Sequence, residues 1–194
     1  MPPEHASAAV VLLAGGSARR FPGKLEHRIG GRPLLARSYA NVRAAGWPVY
    51  VAGAGTFARE LDAALDAPLL IDRHPGQGPL YAFLDACAAI QAQRLYAVAA
   101  DQPRVDAAVL ARLARAWQKG DEAVVPEHSG RSEPLAALYD RRAVLREAFG
   151  LRRRGRRAMH DLVEALAVRL VNIDDEYFCN VNRPQDLAAL ERPG

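Results

Sequence analysis

Cysteine is nearly missing from this chain. Cys87 and Cys179 stand alone among 194 residues. That excludes a disulfide-stapled secreted domain and leaves no metal-finger spacing, so both are expected to be buried thiols of a reducing cytoplasm. Long apolar runs are missing too, and none approaches the roughly 20 residues of a membrane-spanning helix. The opening MPPEHASAA lacks the basic-then-apolar order of an export signal. There is no internal repeat, and the one compositionally biased block is a cluster of arginines. Hydrophobic residues make up 50% of the chain, which excludes wholesale disorder. Lysine is scarce, so the net charge of +4 comes from arginine and suits a polyanionic ligand. The two commonest phosphate-loop signatures are absent as well. Gly23-Lys24 is preceded five residues back by Ala18 and followed by Leu25, which is not GxxxxGK[ST], and Gly15-Gly16 does not open a GxGxxG.

What is present begins at AVVLLAGGSARRFPGK, Ala9 to Lys24. Five apolar residues end in Gly15-Gly16, so a buried strand empties into a loop where backbone N–H groups can approach an anion. Ser17, Arg19, Arg20 and Lys24 follow on the same loop. Further strand-like runs lie at 49–52, 68–71, 95–100 and 123–125, and helix-like stretches at 33–45, 57–65, 80–91 and 107–118. Short apolar strands alternating with amphipathic helices predict βαβ units and a mainly parallel sheet. After Pro126 the rhythm changes. Residues 127–133 read as a polar turn, 134–139 as an added antiparallel strand, 141–149 and 158–166 as helices, 168–173 as a last strand and 184–190 as a closing helix. The length suits one domain spanning 1–194, with a core of real size.

Ligands of such sheets bind beyond the carboxyl ends of the strands. Three features converge there: Gly15-Gly16, Asp72 and Asp101. Asp101 ends a fully apolar strand, where a carboxylate can hold a hard divalent cation such as Mg²⁺. The alternative is a helix cap, for which Asp106 is better placed. Lys24 offers positive charge to an α-phosphate and a leaving pyrophosphate, or is an exposed loop lysine. Gly78, in the turn PGQGPL, opens a helix whose first amides can face a base or ribose, or sits in a plain connecting loop. Asp72 reads equally as a nucleoside contact and as a solvated carboxylate. Asn180 and Asn182 flank Val181 in an extended segment and point the same way, or serve a turn that caps the final helix. Five arginines fall between Arg152 and Arg157, a phosphate-binding cluster or a solvated charge run. His74 and His160 read as surface residues.

Together LxAGGxSxR…GK, Gly30-Gly31-Arg32-Pro33-Leu34, Gly78-Pro79-Leu80, Asp101-Gln102-Pro103 and Asn180-Val181-Asn182-Arg183-Pro184 resemble the molybdenum cofactor guanylyltransferases of the nucleotidyltransferase superfamily. The resemblance spans nearly the whole chain. It implies an α/β, three-layer Rossmann-like fold with a mostly parallel central sheet and helices on both faces. It implies transfer of GMP from GTP to molybdopterin or its molybdenum form, with Mg²⁺ as cofactor. Lys24, Arg19 and Asp101 become catalytic, and Asp101 the metal ligand. Leu13, Ala14, Gly15, Gly16, Ser17, Arg20, Lys24, Asp72, Gly78 and Asp101 become nucleotide-binding. Arg156, Arg157, Asn180 and Asn182 become acceptor-binding. The implied setting is cytoplasmic, with a monomer or weak homo-oligomer, no membrane or nucleic acid, and transient contact with molybdenum-insertion or molybdoenzyme maturation proteins.

The chain departs from the family pattern in places. Gly23 replaces the usual aspartate before Lys24, Ala82 replaces the second glycine of GPLxG, and Ala52 and Ala54 stand where guanine-reading asparagines are common. A cytidylyl- or other nucleotidyltransferase with another phosphorylated acceptor therefore stays open. So does a dinucleotide-binding oxidoreductase, because residues 53–58 read GxGxxA after a strand and Asp72 lies near ribose-binding spacing. An RNA-binding module would use the arginines, but it lacks interleaved aromatics for base stacking.

Overall fold

The structure is a computed structural model that describes residues 7–15, 21, 23–53 and 65–191. The helix expected over 57–65 therefore lies almost wholly outside the described residues.

β1 (Ala8–Leu13) is buried along nearly its whole length and pairs in parallel with β4 (Val49–Gly53) and β6 (Arg94–Ala99). Such burial on both faces is why the run carries no polar alternation. β5 (Leu69–Ile71) extends the parallel set beyond β4. On the other side, β9 (Ala136–Asp140) pairs antiparallel with both β6 and β7 (Ala123–His128). β10 (Val168–Asn172) returns parallel to β7 at the far edge. The spatial order is β10-β7-β9-β6-β1-β4-β5. This is the mostly parallel α/β sheet expected, with β9 as the antiparallel member of that order.

Alternate strand residues feed two cores. Val10 and Leu12 face the layer of α1 (Leu34–Arg43) and α3 (Ala107–Ala116), packing with Leu35, Tyr39 and Leu110. Ala9, Val11 and Leu13 face the layer of α2 (Pro79–Ala89), α4 (Arg141–Arg153) and α5 (Met159–Val163), with Phe83, Cys87 and Leu162. Asp106 caps α3 as expected, its Oδ1 accepting from the backbone N–H of Ala108 at 2.9 Å and of Val109 at 3.1 Å.

Several local readings need correction. The stretch 127–133 is not simply a turn: β7 runs on to His128 and folds back through Ser129-Gly130 into β8 (Arg131–Ser132). A small hairpin, β2 (Arg28–Ile29) with β3 (Arg32–Pro33), surrounds Gly30-Gly31. α4 runs four residues past its expected end at 149. It stops at Gly155, whose φ of +64° lets the N–H groups of Gly155 and Arg156 bond to the carbonyls of Arg152 and Leu151, each at 3.0 Å. α5 is shorter than expected, because after Val163 the chain tightens into i→i+3 bonds from Ala165 to Leu162 and from Leu166 to Val163. Of the two cysteines only Cys87 is buried, its thiol pKa pushed up by burial. Cys179 is exposed, on the segment that leads past Asp101.

Candidate active site

The loop after β6 is held from three directions before any ligand arrives. Ala100 donates its N–H to Leu13 O at 3.0 Å, which ties it to the end of β1. From α1, fully buried Ser38 donates to Ala100 O at 2.8 Å, and Asn41 Nδ2 to Pro103 O at 2.6 Å. Asp101 O accepts from the N–H of Val181 at 2.9 Å. The Asp101 carboxylate thus projects from a fixed backbone and caps no helix.

Lys24 Nζ pairs with Asp101 Oδ2 and donates to Val181 O at 3.3 Å. The two charged side chains are about one-fifth exposed, at 19% and 22%. The Asn180–Asn182 segment joins this cluster through the residue between its asparagines. Val181 is fully buried with Phe21, Ile29 and Leu34, beside Leu187 and Leu190 of α6 (Pro184–Glu191). Burying a valine is worth about 1.5–3 kcal/mol, so packing fixes this extended segment while its backbone serves Lys24 and Asp101. The final helix is capped in reverse: Asp186 Oδ2 accepts from the N–H groups of Asn182 and Arg183, both at 2.8 Å.

Gly15 and Asp72 also come together. A Cβ at Gly15 would stand 3.7 Å from Asp72 Oδ2 and 3.9 Å from Gly53 Cα. Asp72 is oriented by the N–H of His74, which donates to Oδ1 at 2.8 Å. Leu13 and Ala14 are buried and contribute backbone, with Ala14 N–H donating to Ala52 O at 2.7 Å. Gly16, Ser17, Arg19 and Arg20 lie outside the described residues.

A cavity of about 420 Å³ opens beyond Asp101, with Gly78, Arg157, Asn180, Gln102 and Glu133 on its walls. Gly78 cannot be another residue without displacement. Its φ is +93°, and a Cβ there would lie 2.8 Å from Arg157 O. The arginine cluster divides. Arg152 pairs with Asp85, which also faces His74 Nδ1 at 2.9 Å, and lies over the Tyr81 ring at 5.3 Å. Burial works against the Asp85 carboxylate, but hydrogen bonds from His74 and Arg152 hold its pKa below the usual value. Arg156 Nη1 bonds Asp161 Oδ1 at 3.0 Å, on the wall of a separate hollow with Glu164. Of the four acceptor candidates, Arg157 and Asn180 line the cavity beyond Asp101. Arg156 and Asn182 do not. His160 is exposed at its rim, consistent with a surface residue.

Reading the sequence missed three participants: the Val181 carbonyl, Gln102 and Glu133. The period-2 pattern polar-apolar-polar at 180–182 marks Val181 as the buried member. Gln102 and Glu133 each precede a proline at the mouth of a strand, Pro103 and Pro134, which is a weaker signal.

The profile of the MobA-like NTP transferase domain matches residues 10–192. A probable molybdenum cofactor guanylyltransferase of Opitutus terrae is 36% identical, with 94% of each chain covered. The molybdenum cofactor guanylyltransferase of Cereibacter sphaeroides is 33% identical, covering 93% of this chain and 94% of its own. Among solved structures, the molybdopterin-guanine dinucleotide biosynthesis protein A of Archaeoglobus fulgidus superposes with a TM-score of 0.78 at 26% identity, covering 94% of this chain and 96% of that one. A parallel sheet that ends in Gly15, Asp72 and a Lys24–Asp101 pair is thus carried by a chain that belongs to the MobA-like NTP transferase domain family.

Proposed function

We propose that this enzyme transfers GMP from GTP to the terminal phosphate of molybdopterin, or of its molybdenum form. An acceptor phosphate oxygen attacks the α-phosphorus of GTP. The bond from that phosphorus to the β-phosphate bridging oxygen breaks, and pyrophosphate leaves. The observation that carries this reading is the Lys24–Asp101 pair at the carboxyl ends of the central strands, braced by the Val181 carbonyl. The relatives' names supply the substrates.

No general base is needed, because the acceptor phosphate is already anionic. Lys24 neutralises charge on the α-phosphate and the leaving group, and the rigid backbone around residues 100–103 keeps the reacting groups in place. Arg19 and Arg20, which precede Lys24 by five and four positions in the sequence, add to this charge. Gly15, Asp72 and the α2 N-terminus at Gly78 bind the nucleotide. Arg157 and Asn180 receive the acceptor.

Mg²⁺ fits this site. Among the described residues no group of three His, Cys, Asp or Glu is placed to hold a metal ion by itself. A single strand-end carboxylate, Asp101, would hold the ion and leave its other positions to phosphate oxygens and water, the usual arrangement for Mg²⁺ on nucleotides. When bound, the ion supplies charge neutralisation on the triphosphate.

The base is tested by thermal shift. With Mg²⁺ present, GTP is expected to raise the melting temperature more than CTP, ATP or UTP, by mass action on the native state. Ala52 is buried in β4 and offers the base no hydrogen bond. A larger shift with CTP would therefore move the assignment to a cytidylyltransferase.

The acceptor side separates two neighbouring arginines. Arg157→Ala is expected to weaken molybdopterin binding about tenfold, the loss of one charge-assisted hydrogen bond of roughly 1.5–3 kcal/mol. Arg156→Ala should leave that affinity unchanged, since Asp161 engages its guanidinium elsewhere. Calorimetric titration of both variants checks this, and the reverse order would contradict it.

A further inference from the structure

The cavity beyond Asp101 contains a polar pair that the transfer chemistry does not use. Gln102 is buried to 1% exposure, and its Nε2 donates to Glu133 Oε2 at 3.3 Å. Its Oε1 is buried and has no hydrogen-bond partner among the described residues. A buried carbonyl oxygen left unpaired requires an explanation, and a ligand donor is one. Glu133 stands beside it on the same wall and is locked in place. Its Oε1 lies 2.9 Å from His128 Nε2, and His128 Nδ1 lies 3.0 Å from Asp175 Oδ1. Ser129 Oγ donates to Asp175 Oδ2 at 2.6 Å, and the His128 ring stacks on Phe178 at 4.7 Å. The carboxylate is therefore oriented by groups from separate segments, as a recognition group should be.

The Gln102 amide oxygen and the Glu133 carboxylate, linked through the Gln102 Nε2 hydrogen bond, are two acceptors among the residues of one cavity and call for a ligand edge with N–H donors. Pro134, Leu135 and Met159 supply apolar walls for a flat ring, and a volume of about 420 Å³ admits a fused heterocycle. A ring N–H beside an exocyclic amino group occurs on the 2-amino-4-oxo edge of pterin and on the 2-amino-6-oxo edge of guanine. The cavity walls include Arg157 and Asn180, the groups assigned to the acceptor, together with Gly78 at the α2 N-terminus, and neither Gly15 nor Asp72. We propose that Gln102 and Glu133 read the 2-amino-4-oxo edge of the acceptor's pterin ring and so set acceptor specificity. This rests on the guanylyltransferase reading above. The residues are specificity determinants, and none of them is assigned a part in bond making.

The test compares 6-hydroxymethylpterin phosphate with its lumazine counterpart, which carries oxygen in place of the 2-amino group, and GTP with ITP, which lacks the 2-amino group. Wild-type protein is expected to prefer the pterin over the lumazine by about tenfold or more, since a site built to bond a donor rejects the analogue that lacks it. Glu133→Gln should lose most of that preference and keep the wild-type GTP-to-ITP ratio. Gln102→Leu removes the unpaired oxygen while filling the same space. It should weaken pterin phosphate binding about tenfold without lowering the melting temperature. An unchanged pterin preference in Glu133→Gln, undiminished pterin affinity in a folded Gln102→Leu, or no measurable pterin phosphate binding to wild type would each overturn the proposal. A changed GTP-to-ITP ratio in Glu133→Gln would also overturn it, by assigning the edge to guanine. The same preparations are assayed for guanylyl transfer to molybdopterin. Wild type that transfers nothing defeats the functional reading, whereas transfer with an unmoved pterin preference defeats this inference alone.

Discussion

Asp101→Ala is expected to lower guanylyl transfer about 10²–10³-fold, the loss of roughly 3–4 kcal/mol of transition-state charge stabilisation. The fold should survive. The loop that carries Asp101 is fixed by main-chain bonds to Leu13 and Val181 and by Ser38 and Asn41, none of which involves the carboxylate. The lost ion pair is partly solvated, and such pairs contribute little to stability. The melting temperature should therefore fall by a few degrees at most. Asp101→Asn should be nearly as inactive, because it keeps the shape and loses the charge. Steady-state kinetics with a parallel melting curve checks this. Near-wild-type turnover in a folded Asp101→Ala protein would remove the residue from the mechanism.

Lys24→Ala should raise KM for GTP and lower kcat, with a combined loss in kcat/KM of about 10²–10³-fold. Lys24→Arg is expected to restore little. The ammonium sits between the Asp101 carboxylate and Val181 O, with that oxygen 3.3 Å away. This is a space for a compact point charge, and a flat guanidinium fork presents its donors at other angles. The alanine variant also frees Oδ2 of Asp101. Direct titration with GTP separates lost binding from lost chemistry. Wild-type constants in Lys24→Ala would make the lysine a surface residue.

The α/β class and the strand-end placement of Gly15, Asp72 and Asp101 were legible because a fully buried parallel strand writes itself as an unbroken apolar run. Lys24 was legible as charge on the glycine loop. Its partner was not, since 77 positions separate it from Asp101 and only the fold closes that gap. The Val181 carbonyl was illegible for a different reason: backbone acceptors have no letter in the sequence. Arg156 and Arg157 are adjacent and look alike, yet they serve different surfaces. The turn closed by Gly155 sends one to Asp161 and the other to the cavity. Density of charge told of a cluster but not of its directions. Glu133 was hidden by the turn-rich reading of 127–133, because Ser129-Gly130 looked like the end of structure when it is the bend of a hairpin. Cys179 was misjudged because residue type alone favours burial, whereas its segment is held by Val181 two residues on.

The central claim is tested most directly by incubating the protein with GTP labelled in the α-phosphate, Mg²⁺ and molybdopterin, and identifying the labelled product by mass. The account predicts a molybdopterin–guanine dinucleotide, with one pyrophosphate released for each label transferred and much less product from CTP. Label that stays in GTP, or that moves efficiently only from CTP or only to another phosphorylated acceptor, would contradict it.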